Sequence, residues 1–266
     1  MEYKKVESPS TLCGCIGSCA TVYEQPWVQE LLGESFHPGG MELTRRSIAS
    51  LGLKNGSRVL DVASGTGVTA EALADSGFAV VGIDASEKQV SAATERFVEN
   101  SHVSFRHASA ENIPNDLGMF DGVFCECAFS LVSDKDKVAA NWARVLALGG
   151  RLAISDMVVE GELPESLKGE MGSWACLGGA RSREEYEFLL RKAGFIKIEY
   201  VDESEAVKEM ISMLKKKLLV YGLGNLTDMI KDLGVSLPDL LLALKDAARA
   251  ANSGVLSYGR FSASIA

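Results

Sequence analysis

Short apolar runs alternate along the chain with amphipathic segments, which is the pattern of an α/β protein. An apolar run at 59–63 leads into a glycine-rich turn, a helical segment at 68–76 and a second apolar run at 79–83. Nearly continuous apolar runs are typical of strands that are buried on both faces of a sheet. The pattern therefore predicts an open, mostly parallel sheet.

The alternation continues to the end of the chain, and each segment predicts one element. Ser182 and Glu185 form a capping-box signature at the start of one helix. We expect residues 203–251 to be helical with a break at 222–224, and the last strand to return to the sheet edge. The remaining expected helices lie at 23–33, 41–51, 86–100, 135–146 and 182–193, and the remaining strands at 103–107, 120–124, 151–156, 195–201 and 255–265.

The first turn has the residues of a nucleotide site. Gly65 and Gly67 allow the backbone to turn sharply and to lie against a ligand. Asp84 ends the second strand, where an acid can accept hydrogen bonds from ribose hydroxyls. The spacing from Asp61 to Gly67 differs from the dinucleotide fingerprint, because Ala70 stands at the third glycine position. A nicotinamide-binding domain is the alternative reading of this turn.

Composition and charge narrow the classes of partner. The 266 residues are 47% hydrophobic and 24% charged, and the net charge is −9 with a pI of about 5.0. An acidic chain lacks the basic surface that nucleic acids and anionic membranes attract. The first eight residues contain no apolar signal core, and no run of 18 apolar residues occurs. These features predict a soluble cytoplasmic protein.

Six cysteines stand out beside only three histidines. Cys13, Cys15 and Cys19 follow neither a zinc-finger nor an iron–sulfur spacing. They either gather around a soft ion, which thiolates suit, or belong to a tail with no specific role. In a cytosolic chain, cysteines are more often free thiols, metal ligands or catalytic groups than disulfides.

The turn from Asp61 to Gly67 resembles motif I of the class I S-adenosylmethionine-dependent methyltransferases. A helix that stops at Leu148-Gly149-Gly150 and is followed by an apolar strand is also frequent in that class. The resemblance implies a Rossmann-like, mostly parallel seven-stranded sheet with helices on both faces and a helical insertion near the C-terminus. S-adenosylmethionine would be the cofactor. Ser109 stands where an acid usually contacts adenine, so backbone groups near Ala110 would serve instead. The implied cofactor-binding residues are Asp61, Ala63, Gly65, Thr66, Gly67, Asp84, Ala85, Ala110, Glu111 and Cys125.

Two further segments resemble the arsenite methyltransferases. These are 127–131 with the following Ser-Asp-Lys, and 174–180, which contains Cys-Leu-Gly-Gly-Ala. The resemblance implies that Cys127 and Cys176 are the catalytic residues and bind trivalent arsenic. The family's additional cysteine is absent from the loop at 36–40, so a third thiolate would come from a small thiol or from Cys13, Cys15, Cys19 or Cys125.

The expected function is methyl transfer to cysteine-bound trivalent arsenic, a detoxification that also requires a thiol reductant. Soft arsenic prefers sulfur ligands, and positioning is the protein's main task because the arsenic lone pair needs no general base. Two alternatives stay open: a methyltransferase with an organic oxygen, nitrogen or carbon acceptor, and a soft-metal-binding protein without turnover.

Three regions follow from this interpretation. Residues 1–54 would form a cysteine-containing tail and capping helices, 55–202 the cofactor-binding core, and 203–266 a helical excursion with the final strand. The loop at 36–40 either closes over the ligand or only connects elements. A closing role is favoured because segments before the first strand commonly cap such sites in this fold.

Overall fold

The computed structural model describes residues 37–221 and 236–266, apart from the side chains of Leu219 and Tyr221. Seven strands form one sheet in the order β3-β2-β1-β4-β5-β7-β6. The first five strands in this order run parallel to one another, and β7 runs antiparallel to both β5 and β6. The strands are β1 (Arg58–Val62), β2 (Ala79–Asp84), β3 (Val103–His107), β4 (Phe120–Glu126), β5 (Leu146–Val159), β6 (Phe195–Asp202) and β7 (Leu256–Ile265).

Eight α-helices and four short 3₁₀ turns lie in the described part of the chain. The capping box of Ser182 and Glu185 is present and confirms the predicted helix start there. The helices are α1 (Gly40–Ser50), α2 (Val68–Asp75), α3 (Glu87–Arg96), α4 (Lys135–Val145), α5 (Gly169–Trp174), α6 (Arg183–Lys192), α7 (Ser204–Tyr221) and α8 (Leu237–Asn252). The 3₁₀ turns are Ala110–Asn112, Asn115–Leu117, Phe129–Leu131 and Glu165–Leu167.

Successive residues of β1 face opposite sides of the sheet, as the pleat requires. Val59 packs with Ile48 of α1 and Leu73 of α2 on one side. Leu60 packs with Trp142 of α4 and Tyr186 of α6 on the other. Both faces of the sheet are therefore covered by helices, which confirms the predicted Rossmann-like architecture.

Several boundaries differ from the sequence-based expectation. The last strand does not return to the sheet edge: β7 lies between β5 and β6, and β6 is the edge strand. Eight of the ten residues of β7 are buried, because β7 has a neighbouring strand on each side. Strand β4 extends to Glu126, since its neighbour β5 continues to pair with it there. Helix α3 ends at Arg96, four residues before the expected end.

A third apolar cluster joins the C-terminal helices to the core. It contains Ala206 and Ile211 of α7, Ala243 of α8, and Cys176, with Cys127 packed against it. The two C-terminal helices therefore cover the region where the two cysteines lie. In the described residues, none of the helices is long and apolar enough to cross a membrane. The expected helix at 23–33 and the break at 222–224 lie outside the described residues.

Candidate active site

The strand order reverses between β1 and β4, and the glycine turn follows β1 at this point. Ligands of open α/β sheets bind in the crevice at such a reversal, beyond the carboxyl ends of the strands. Ala63, Gly65 and Gly67 all have positive φ values of 60°, 52° and 85°. The left-handed backbone is unusual for alanine and marks a tightly constrained turn.

The two glycines of the turn have different surroundings. A Cβ on Gly67 would lie 2.8 Å from ring atoms of both Phe97 and Phe105, so this glycine is required for packing. A Cβ on Gly65 would meet nothing within 4 Å. The backbone at Gly65 therefore borders open space that a ligand can enter.

Asp84 connects β2 to the glycine turn. Its carboxylate accepts hydrogen bonds from the Gly65 amide at 2.9 Å and the Ser86 amide at 2.8 Å. Burial raises the pKa of Asp84, and these amides oppose that shift. A carboxylate has about four lone-pair sites, so these amides do not use all of its capacity to accept hydrogen bonds.

Asp61 is buried at the end of β1. Within the described part of the chain, its Oδ2 atom has no hydrogen-bond partner. Burial raises the pKa of Asp61, and the negative charges of Glu126 and Asp84 raise it further. A buried carboxylate oxygen that lacks a hydrogen bond would be stabilised most by a cationic donor, such as the ammonium group of an amino acid.

Glu126 is the site residue that the sequence reasoning missed. Its Oε2 atom accepts hydrogen bonds from the hydroxyls of Thr44 at 3.0 Å and Thr69 at 3.1 Å, and lies 3.2 Å from His37 Nε2. Its Oε1 atom accepts from the Ser155 hydroxyl at 3.2 Å. The loop before α1 therefore reaches the end of β4. A charged residue closing an apolar strand was the available sequence signal.

Cys127 and Cys176 come from segments 49 residues apart and meet at the carboxyl end of the sheet. The Cys176 thiol donates a hydrogen bond to the Cys127 carbonyl at 3.5 Å. A hydrogen bond between the two side chains is the largest cause that raises the pKa of Cys127, followed by burial. Both residues have left-handed backbone, with φ values of 51° and 58°.

The two cysteine-bearing segments are packed directly against each other. A Cβ on Gly179 would lie 2.3 Å from the Ser130 carbonyl oxygen and 2.8 Å from Lys135 Nζ. Lys135 is buried and donates to the carbonyls of Ser130 and Val132 at 3.1 and 3.0 Å. Asp156 holds the same turn from the other side, because it accepts from the Ser130 amide at 2.7 Å.

The remaining predicted cofactor residues line the same edge of the sheet, but several of their polar groups already have protein partners. The Ala85 carbonyl lies 3.0 Å from His107 Nε2, and the Ala110 carbonyl accepts from Asn141 at 3.1 Å. Glu111 accepts from the amide and hydroxyl of Ser133 at 3.1 and 2.9 Å. Thr66 is half-buried within the turn. Contacts from these residues to a cofactor stay predictions.

Cys125 lies inside β4, whereas the sequence placed it just after the strand. It is 1% exposed and packs in the core cluster with Leu60 and Val62, away from the cluster that contains Cys176. Cys13, Cys15 and Cys19 lie outside the described residues. Among residues 37–221 and 236–266, no three His, Cys, Asp or Glu side chains are grouped as a metal site.

Comparisons with known proteins agree with this geometry. A family model described as a methyltransferase domain matches residues 53–194. An O-methyltransferase of Aspergillus sclerotiorum, resE, is 30% identical over 199 residues, which cover 73% of this chain and 75% of that protein. An arsenite methyltransferase of Aquipseudomonas alcaligenes is 32% identical over 221 residues, which cover 76% of this chain and 62% of that protein.

A solved structure has the same fold. Phosphoethanolamine N-methyltransferase 2 of Haemonchus contortus, in complex with S-adenosyl-L-methionine, superposes with a TM-score of 0.70 at 24% identity, over 90% of this chain and 56% of that one. The family match extends over more than half of the chain and includes the glycine turn, Asp84 and the end of β4. The chain therefore belongs to the class I S-adenosylmethionine-dependent methyltransferases.

Proposed function

We propose that this chain transfers a methyl group from S-adenosylmethionine to trivalent arsenic bound by Cys127 and Cys176. The observation that carries the proposal is the meeting of these two thiols, both on left-handed backbone, at the carboxyl edge of the sheet. Strained backbone of this kind persists where the surrounding structure imposes it, and it is concentrated at functional sites. The arsenite methyltransferase relative supports the same acceptor.

The raised pKa of Cys127 is compatible with arsenic binding. Arsenite, As(OH)₃, condenses with two thiols to form two As–S bonds and to release two water molecules. Each thiol proton leaves with a hydroxide of arsenite, so neither sulfur has to be ionised beforehand. Burial of the two cysteines favours the arsenic–dithiolate complex, because thiolate ligands bound to arsenic carry little net charge to desolvate.

The cofactor would be held by residues whose geometry fits it. Gly65 borders open space, and Asp84 ends β2 beside it with acceptor capacity left for ribose hydroxyls. Asp61 has a buried oxygen that suits an ammonium group, because it lacks a hydrogen-bond partner among the described residues. When bound, S-adenosylmethionine supplies an electrophilic methyl group, and trivalent arsenic supplies the electron pair that accepts it. The chain's task is to hold both reactants close together and to exclude water.

Arsenite binding tests the proposal before any turnover. Wild-type protein and the variants Cys127→Ser and Cys176→Ser would be titrated with arsenite under reducing conditions. The signal is the intrinsic tryptophan fluorescence, to which Trp174 contributes from the segment next to Cys176. Loss of either sulfur removes the chelate, so binding should weaken by roughly 100-fold. The matched control is Cys125→Ser, which removes a neighbouring thiol that packs in another cluster and should bind as the wild type does.

Equal affinity of all four proteins for arsenite would contradict the proposal. That result would leave an organic acceptor as the substrate, and the O-methyltransferase relative is the reason to test hydroxylated small molecules next. Tight arsenite binding without methylated arsenic would instead indicate a binding protein.

A further inference from the structure

Glu126 lies at the reversal of the strand order, where the cofactor crevice is expected. Residue pairs Val62–Cys125 and Glu126–Ser155 place it between the end of β1 and β5. The next position along β1 is Ala63, the strained first residue of the glycine turn. Glu126 is therefore a neighbour of the turn that the cofactor must contact.

The carboxylate of Glu126 is fixed from several directions. The loop before α1, helix α1, helix α2 and strand β5 each supply one contact, through His37, Thr44, Thr69 and Ser155. A carboxylate accepts hydrogen bonds at both oxygens, and here three hydroxyls and an imidazole surround the two oxygens. Its side chain is 5% exposed, so the charge is held in place and only weakly screened.

Two other carboxylates share this end of the sheet. Asp61 lies near the end of β1 and Asp84 ends β2. The charges of Glu126 and Asp84 both act on Asp61. Asp61 Oδ2 is buried and has no hydrogen-bond partner in the part of the chain that the structure describes. The crevice thus combines concentrated negative charge with a buried acceptor that lacks a donor, which is a site for a cationic ligand.

We propose that Glu126 is a specificity-determining residue that makes the crevice prefer the cationic methyl donor over its uncharged product. S-adenosylmethionine carries a positive sulfonium, and S-adenosylhomocysteine has a neutral thioether at the same position. A fixed negative charge stabilises the first and not the second. Such a preference favours exchange of product for fresh donor. The inference depends on cofactor use alone and holds whichever acceptor is methylated.

The test is a set of binding measurements by calorimetry with three ligands. S-adenosylmethionine and sinefungin are both cationic at this position, with a sulfonium and an ammonium respectively, and S-adenosylhomocysteine is neutral there. In the variant Glu126→Gln, the amide oxygen can still accept from Thr44 and Thr69 while the charge is lost. The two cationic ligands should lose roughly tenfold more affinity than the neutral one.

Two variants separate a charge effect from a structural one. Asp84→Asn should lower the affinity for all three ligands by a similar factor, because all three contain the ribose that Asp84 is proposed to bind. Glu126→Asp keeps the charge and should keep the wild-type ratio of affinities for S-adenosylmethionine and S-adenosylhomocysteine. If Glu126→Gln does not fold, Glu126→Met provides an uncharged side chain of similar size for the same comparison. Equal losses for all three ligands in the uncharged variant would overturn the proposal.

Discussion

At the scale of single residues, backbone strain marks the site more clearly than residue type does. Four non-glycine residues have positive φ among those that the structure describes, and three of them are Ala63, Cys127 and Cys176. The fourth, Lys197, lies at an irregularity in the pairing of β6 with β7. Each such residue costs about 1–3 kcal/mol, so the fold tolerates this strain mainly where predicted ligands bind.

The sequence predicted the cysteine pair but not Glu126, and the reason is physical. Short motifs around Cys127 and Cys176 identified both residues before their contact was known. The role of Glu126 depends on Thr44, Thr69 and Ser155, which are remote in sequence and are brought to it only by the fold. Contacts between residues so far apart in the chain cannot be predicted from a short sequence motif.

Asp156 gives a prediction about pH. Burial raises the pKa of Asp156 to about 6 from an ordinary value of 3.8, even though it accepts hydrogen bonds from the amides of Ser130 and Met157. Because the folded-state pKa is the higher one, the folded protein binds this proton more tightly. The resulting stabilisation is fully present below pH 3.8 and is lost as the pH rises through about 6.

The variant Asp156→Asn has no group to titrate at this position. The free energy of unfolding of the wild type, minus that of the variant, should therefore decrease between pH 4 and pH 6 by an amount on the order of 2 kcal/mol. Urea denaturation at several pH values in this range measures the difference. Parallel stability profiles for the two proteins would show that Asp156 is ionised with its ordinary pKa.

At the scale of elements, the proposed arsenic site depends on the close packing of two loops. The turn that carries Cys127 is held by Lys135 at the start of α4, and the loop that carries Cys176 packs on it through Gly179. Glycine is needed at Gly179 because a carbonyl oxygen occupies the position of a side chain. The Leu-Gly-Gly sequence after Cys176 thus has a packing role.

The variant Gly179→Ala tests this contact. Its Cβ would lie 2.3 Å from the Ser130 carbonyl, so the loops must separate, at a cost of about 1–3 kcal/mol in the free energy of unfolding. Arsenite affinity should fall with it, because the two sulfurs move apart. Thermal unfolding and the arsenite titration measure the two effects.

The neighbouring variant Gly178→Ala is the matched control. Its Cβ would meet the Ser173 hydroxyl at 3.1 Å, a tight contact with a side chain that has more freedom than backbone. We expect a smaller loss of stability and near-normal arsenite binding. If both variants behaved alike, close packing at Gly179 would have no special part in forming the site.

Element type was easier to predict than element placement. Capping residues and apolar periodicity identified α6 and most strands within a few residues, because these signals are local. The place of β7 between β5 and β6 was not predicted, since the choice of neighbours depends on contacts between distant segments. The extension of β4 to Glu126 has the same cause, because pairing with β5 sustains it.

At the scale of the whole molecule, the fold places the proposed donor and acceptor sites next to each other. Glu126 is the last residue of β4, and Cys127 is the next residue in the chain. The C-terminal helices α7 and α8 share an apolar cluster with both cysteines. These two helices therefore cover the proposed acceptor side, while the glycine turn after β1 lies on the proposed donor side.

A methyl-transfer assay is the most direct test of the central claim, that the chain methylates arsenic bound by Cys127 and Cys176. Purified protein would be incubated with methyl-labelled S-adenosylmethionine, arsenite and a thiol reductant, and the arsenic species would be separated. We predict labelled methylarsenic from the wild type and from Cys125→Ser, and none from Cys127→Ser or Cys176→Ser. A wild-type protein that binds the cofactor but leaves arsenic unlabelled would contradict the account.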